Sequence, residues 1–250
     1  MRADMSPVLH QETGSCVIWA DADRLPAPRP AHFRAAWWQQ QPGTVVQSEG
    51  RGSALMVRGP QGEAWVLREY LRGGLPGKVF HRRYLWRGEA QARPIREFAL
   101  LRQMRDENLP VPAPVGVGIW RHGLTWEGAM LMERIANAES LAQRLAAQAF
   151  VIDAELPALD AMLERFFRAG YFHADLNLRN ILRDAHGDWW LIDWDRGRSG
   201  VPPARCRNRL RRLCRSVAKI ARAEQWPGDV PERLIRHWTA AARGPAKGAV

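Results

Sequence analysis

Tyr171-Phe172-His173-Ala174-Asp175-Leu176-Asn177-Leu178-Arg179-Asn180, followed by Ile192-Asp193-Trp194-Asp195, is the stretch that decides how this chain of 250 residues reads. Upstream, Leu156, Leu159, Met162, Leu163 and Phe166 fall on one face of a helix that stops at Gly170. Downstream, Asn180 to Leu182 and Trp189 to Ile192 flank a His186-Gly187 turn and read as a small hairpin. Alone, each Asp or Asn here is an ordinary turn former. In this order they supply what phosphoryl transfer needs, an aligned hydroxyl and ligands for a hard cation across the phosphates. Mg²⁺ takes carboxylate and amide oxygens. Asp175 is therefore expected to orient and deprotonate an acceptor hydroxyl, and Asn180 and Asp193 to hold Mg²⁺. His173 is expected to brace the loop.

Working toward the N-terminus, a nucleotide cradle is the next expectation. Val45-Val46, Ala54 to Val57 and Ala64 to Leu67 read as three short strands joined by tight turns. Gly50, Gly52 and Ser53 lie at the first turn, where glycines let backbone N–H groups approach phosphate. Arg68 ends the third strand as the candidate cation for ATP, with Lys78 as an alternative. Pro94 opens a helix to about Glu107. On it Glu97, Leu100, Leu101 and Met104 share one stripe, so Glu97 faces apolar surroundings and needs a cation such as Arg68. Two further strands, Val115 to Trp120 and Ala129 to Ile135, follow, the second ending in Met132-Glu133-Arg134-Ile135. Residues 1–30, Pro-rich at their end, read as a loose lead-in. Residues 31–135 form a strand-rich N-lobe and residues 136–250 a helical C-lobe, an α+β two-lobed arrangement with the chemistry between.

The composition narrows the partners. Thirty-seven Lys and Arg against 26 Asp and Glu give a net charge of +11, which suits a polyanionic partner. Ala204 to Ala223 reads as a strongly basic helix with apolar positions on one side, a candidate for docking on an anionic membrane. No recognition-helix or aromatic-platform motif supports nucleic acid. Three dispersed cysteines show no metal-ligand spacing and point to a reducing compartment. The first twenty residues have no apolar core before a cleavage site, and no run approaches the ~20 apolar residues of a membrane span.

His173-x-Asp175 with Asn180 five residues on, then Ile192-Asp193, resembles the catalytic and metal-binding loops of the protein-kinase-like superfamily. Asp193-Trp194-Asp195 stands where that family has Asp-Phe-Gly, so a switch that relies on the Phe and Gly is not expected. The same resemblance implies that Met132-Glu133-Arg134-Ile135 is the adenine hinge, with Glu133 at its centre. A closer resemblance runs from about Gly50 to Arg215. Val66 to Leu75 with its Arg72-Gly73-Gly74-Leu75, Arg83-Tyr84-Leu85-Trp86, Arg96-Glu97-Phe98 and Leu109 to Pro114 are similar to the 3-deoxy-D-manno-octulosonic acid (Kdo) kinases. In that family Arg, not Lys, at position 68 is the rule. The resemblance implies a protein-kinase-like fold and ATP- and Mg²⁺-dependent phosphorylation of the Kdo 4-hydroxyl on a lipid A precursor, in lipopolysaccharide assembly at the cytoplasmic face of the inner membrane. Arg72, Lys78, Arg82 and Arg83 follow the third strand and are expected either to meet the anionic lipid or to form a solvated surface loop. Other small-molecule or heptose kinases of the same fold, and a non-catalytic lipid-binding relative, are the competing readings. Intact Asp175, Asn180 and Asp193 speak against the last.

Overall fold

The computed structural model describes residues 6–42, 45–49, 52–70, 84–226 and 228–243. The chain divides into two compact units: 1–107 with 112–134, and 108–111 with 135–250.

The first unit is an antiparallel sheet with one long helix. Its elements are β1 (Val8–Thr13), β2 (Cys16–Asp21), α1 (Ala35–Trp38), β3 (Val45–Glu49), β4 (Gly52–Arg58), β5 (Ala64–Glu69), β6 (Tyr84–Leu85), α2 (Arg93–Asp106), β7 (Pro114–His122) and β8 (Thr125–Glu133). The strands lie in the order β1-β2-β7-β8-β5-β4-β3, and β6 pairs with β8. Alternation sets the buried face: Leu55, Val57, Trp65 and Leu67 are all 4% exposed or less. Phe33 lies against the bare backbone of β7, where a Cβ on Gly118 would fall 2.6 Å from its ring. Gly123, at φ +60°, opens the two-residue turn between β7 and β8, a position that favours glycine.

The loose lead-in expected over residues 1–30 does not hold for residues 8–21, which are part of the sheet. β1 and β2 form a hairpin from Val8↔Asp21 to Thr13↔Cys16, and β2 joins the sheet through β7. Cys16, Ile18 and Ala20 are buried at 2% or less, a period-2 pattern written partly in small residues. β1 is an edge strand whose residues are mostly exposed, so it carries no hydrophobic alternation to read. Asp21, 4% exposed, accepts from Arg102 of α2 at 3.1 Å and from Arg24 at 3.2 Å, tying the hairpin to the helix.

The second unit holds β9 (Glu139–Ser140), α3 (Leu141–Ala146), α4 (Ile152–Arg168), β10 (Ile181–Arg183), β11 (Trp189–Leu191), α5 (Pro203–Arg207), α6 (Leu210–Glu224) and α7 (Val230–Ala241). Ser140 caps α3 in a reciprocal pair with Gln143. Leu159, Met162, Leu163, Phe166 and Phe167 are the buried face of α4. Leu213 and Val217 of α6 and Leu234 and Trp238 of α7 are fully buried. The basic helix expected over 204–223 is two helices, broken at Asn208-Arg209, where Asn has low helix propensity.

Candidate active site

The loop after α4 and the end of β11 are knitted together by backbone groups and one imidazole. His173, 1% exposed, donates from Nε2 to the Ile192 carbonyl at 2.9 Å and accepts at Nδ1 from the Asp175 N–H at 3.2 Å. Both bonds require the neutral Nε2–H tautomer. Burial agrees, holding the imidazole below its usual pKa. The Ile192 N–H donates to the Asn180 carbonyl at 2.9 Å. The Asn180 amide donates from Nδ2 to the Asp175 carbonyl at 2.9 Å. Asp175, Asn180 and Asp193 are thus brought together on neighbouring stretches of backbone, and His173 braces them.

Two features suit the metal role. Nδ2 of Asn180 is committed to a carbonyl, and its Oδ1 takes no hydrogen bond from the described residues. Asp193 sits at φ +62°, in the left-handed region that non-glycine residues enter at a cost and that collects at functional loops. An amide oxygen and a carboxylate on adjacent turns are the hard donors that Mg²⁺ takes, so the donor set fits that ion. Trp194, 1% exposed, packs between Phe166 at 5.2 Å, Tyr171 at 6.3 Å and His173 at 4.7 Å between centroids. It also donates to the Leu191 carbonyl at 3.0 Å. The Trp of Asp-Trp-Asp is therefore an anchor in the core under the loop that carries Asp193.

The carboxylate of Asp175 meets a residue the sequence assigned elsewhere. Arg212 of α6 donates from Nε to Asp175 Oδ1 at 2.8 Å, and its Nη2 reaches the same oxygen. Arg209, one turn earlier, donates to the carbonyls of His173 and Ala174. Ser216, one turn later, accepts from the Leu178 N–H at 3.3 Å. The i, i+3, i+7 spacing of 209, 212 and 216 is the signal that marks this face. It was hidden because Arg205 to Arg222 reads as one uniformly basic surface. The exposed Arg211, Arg215, Lys219 and Arg222 lie apart from it.

In the first unit, Arg68 of β5 meets Glu97 of α2 through Nη1–Oε1 at 3.2 Å and Nη2–Oε2 at 3.0 Å. The Tyr70 hydroxyl adds a third donor at 2.5 Å, and the Glu97 side chain is 2% exposed. Gly52 and Ser53 lie in β4, with Gly52 opposite Glu49 in the β3–β4 hairpin. Gly50, Arg72, Lys78, Arg82 and Arg83 lie outside the described residues. Glu133 ends β8. Its N–H is bonded to the Ala113 carbonyl at 2.8 Å and its carboxylate to Arg24 at 2.8 Å. Its backbone donor is therefore committed within the protein.

The family model described as lipopolysaccharide kinase (Kdo/WaaP) family matches residues 35–238. A 3-deoxy-D-manno-octulosonic acid kinase of Stenotrophomonas maltophilia strain K279a is 42% identical over 226 residues, 89% of this chain and 88% of the relative. The enzyme of that name from Xanthomonas axonopodis pv. citri strain 306 is 42% identical over 208 residues, 83% of this chain and 82% of the relative. That of Xanthomonas campestris pv. campestris strain 8004 is 40% identical over 227 residues, 89% of each chain.

Proposed function

The chain belongs to the lipopolysaccharide kinase (Kdo/WaaP) family, whose fold is protein-kinase-like, and from that premise we propose that it phosphorylates the 4-hydroxyl of Kdo on a lipid A precursor with ATP. In the proposed reaction the hydroxyl oxygen attacks the γ-phosphorus, the bond to the β,γ-bridging oxygen breaks, and ADP leaves. Asp175 receives the hydroxyl proton. Asn180 and Asp193 are the proposed Mg²⁺ ligands. The bound ion would neutralise charge on the phosphate oxygens. Arg68, oriented by Glu97, is the proposed phosphate-facing cation, with Gly50, Gly52 and Ser53 at the phosphates and Glu133 at adenine. His173 keeps the Asp175 backbone at a fixed distance from the metal loop and carries no proton in the reaction, since both its nitrogens are engaged.

The observation that supports this reading most is the set of hydrogen bonds gathering Asp175, Asn180 and the backbone before Asp193. The relatives' shared name supplies the acceptor.

Association with the cytoplasmic face of the inner membrane is part of the same proposal. Arg211, Arg215, Lys219 and Arg222 form an exposed cationic edge of α6 that suits an anionic surface. No described helix is long and apolar enough to cross a membrane. Transfer of labelled γ-phosphate to a Kdo-bearing lipid A precursor, and not to the same lipid without Kdo, tests the assignment. Equal labelling of both would reject it.

A further inference from the structure

The pairing of Arg212 with Asp175 is unexpected for a carboxylate that has to receive a proton from a hydroxyl. Both guanidinium donors converge on Oδ1, and Oδ2 has no hydrogen-bond partner among the described residues. The pair is open to solvent, with side chains 42% and 46% exposed. Such pairs are weak and exchange readily with a competing anion. A guanidinium that met a second carboxylate edge-on would instead form two parallel bonds, the stronger arrangement.

Charge around the pair is out of balance. Arg209 is bonded to two neutral carbonyls, and the carboxylate whose charge acts on it is Asp175, which Arg212 already holds. Burial, then repulsion from Arg212 and Arg215, lowers its pKa. Arg209 and Arg212 therefore flank one carboxylate at the point where the acceptor hydroxyl arrives in the proposed reaction. A further anion beside that hydroxyl would relieve the imbalance, and a cationic acceptor would worsen it. Kdo is a sugar acid. Its carboxylate stays ionised near neutral pH when the sugar is in glycosidic linkage.

We propose that Arg212, supported by Arg209, is the acceptor-anion site: it holds Asp175 while the acceptor is absent and takes the sugar carboxylate when the acceptor binds. The exchange frees Oδ1 of Asp175 to meet the hydroxyl, so the base is released only by a ligand carrying an anion. This rests on the reading of the chain as a Kdo kinase and adds which protein group recognises the acid.

The test measures acceptor binding and turnover for the full chain and Arg212→Gln, with Arg212→Lys as the charge-retaining variant. Thermal unfolding checks that each variant folds. Three acceptors are used: the Kdo-bearing lipid A precursor, its primary amide at the sugar carboxylate, and the lipid with its phosphates removed. Arg212→Gln is expected to raise Kd and KM for the unmodified acceptor at least tenfold and leave KM for ATP unchanged. The same penalty is expected on the dephosphorylated lipid, and a penalty under twofold on the amide. Arg212→Lys should recover part of the loss. Unchanged acceptor affinity in Arg212→Gln, with only kcat reduced, would mean that Arg212 merely orients Asp175 and would overturn the proposal. So would a full penalty on the amide, and a penalty that vanishes with the phosphates would move the contact to them and overturn the carboxylate assignment. Arg212-dependent binding without any phosphate transfer would instead sink the kinase reading and leave the anion site standing.

Discussion

Replacing Arg68 by Met should destabilise the first unit by more than its surface position suggests. Arg68 is one quarter exposed, but Glu97, its partner, is 2% exposed. The substitution leaves a buried carboxylate with the Tyr70 hydroxyl in place of a guanidinium fork. Breaking a buried pair by removing one partner costs ~3–5 kcal/mol, and the retained hydroxyl places this case near ~3 kcal/mol. At ~2–4 °C per kcal/mol for a chain of this size, Tm should fall by about 6–12 °C. Glu97→Met leaves a cation that can turn to water, so the cost is lower, about 2 kcal/mol. The double variant carries neither charge and should also lose about 2 kcal/mol, which gives a coupling energy of about 3 kcal/mol. Denaturant unfolding of the four proteins closes the cycle, and KM for ATP is read alongside. Arg68→Met should raise that KM; if Lys78→Ala does so instead, the phosphate-facing cation lies elsewhere. A loss under ~0.5 kcal/mol for Arg68→Met, or additive losses in the double variant, would refute the argument that burial of Glu97 sets the strength of this pair.

Asp21→Asn should cost about 3 kcal/mol, because Arg102, with its side chain 10% exposed, loses its charge partner; chemical denaturation measures it, and a change under ~0.5 kcal/mol would show that the N-terminal hairpin is not tied to α2 through this carboxylate. Trp194→Leu removes a buried indole and its bond to Leu191 and should lower stability by about 3 kcal/mol and phosphate transfer with it. Full activity in a folded Trp194→Leu protein would separate the metal loop from its anchor. Burial pushes the Cys16 thiol up to about 11 and raises those of Cys206 and Cys214 as well. A raised thiol pKa means the protonated, unreactive form persists through pH 8, so a thiol-disulfide reagent should label none of the three until the protein is unfolded. Rapid labelling of the native protein would contradict the buried placement.

The site was more legible than its surroundings. The convergence of Asp175, Asn180 and Asp193 was readable because oxygen donors at fixed spacing between a helix and a hairpin mark a shared turn. Glu97 was readable because a carboxylate on an apolar helical stripe demands a cation. Three things were hidden. β1 is an edge strand with exposed residues, and a strand without a buried face shows no alternation. The break at Asn208-Arg209 is a local tertiary choice inside a sequence with helical period throughout. Arg209 and Arg212 were lost among their basic neighbours, since charge composition does not say which arginines turn inward. Only the packing of α6 against residues 173–175 separates them from Arg211, Arg215 and Arg222.

Mass spectrometry of the Kdo-bearing lipid A precursor, after incubation with ATP, Mg²⁺ and either the wild type or Asp175→Asn, tests the central claim most directly. One added phosphate located on the Kdo ring with the wild type, and none with Asp175→Asn of unchanged stability, is the predicted result. A phosphate elsewhere on the lipid, or equal product from the two proteins, would contradict it.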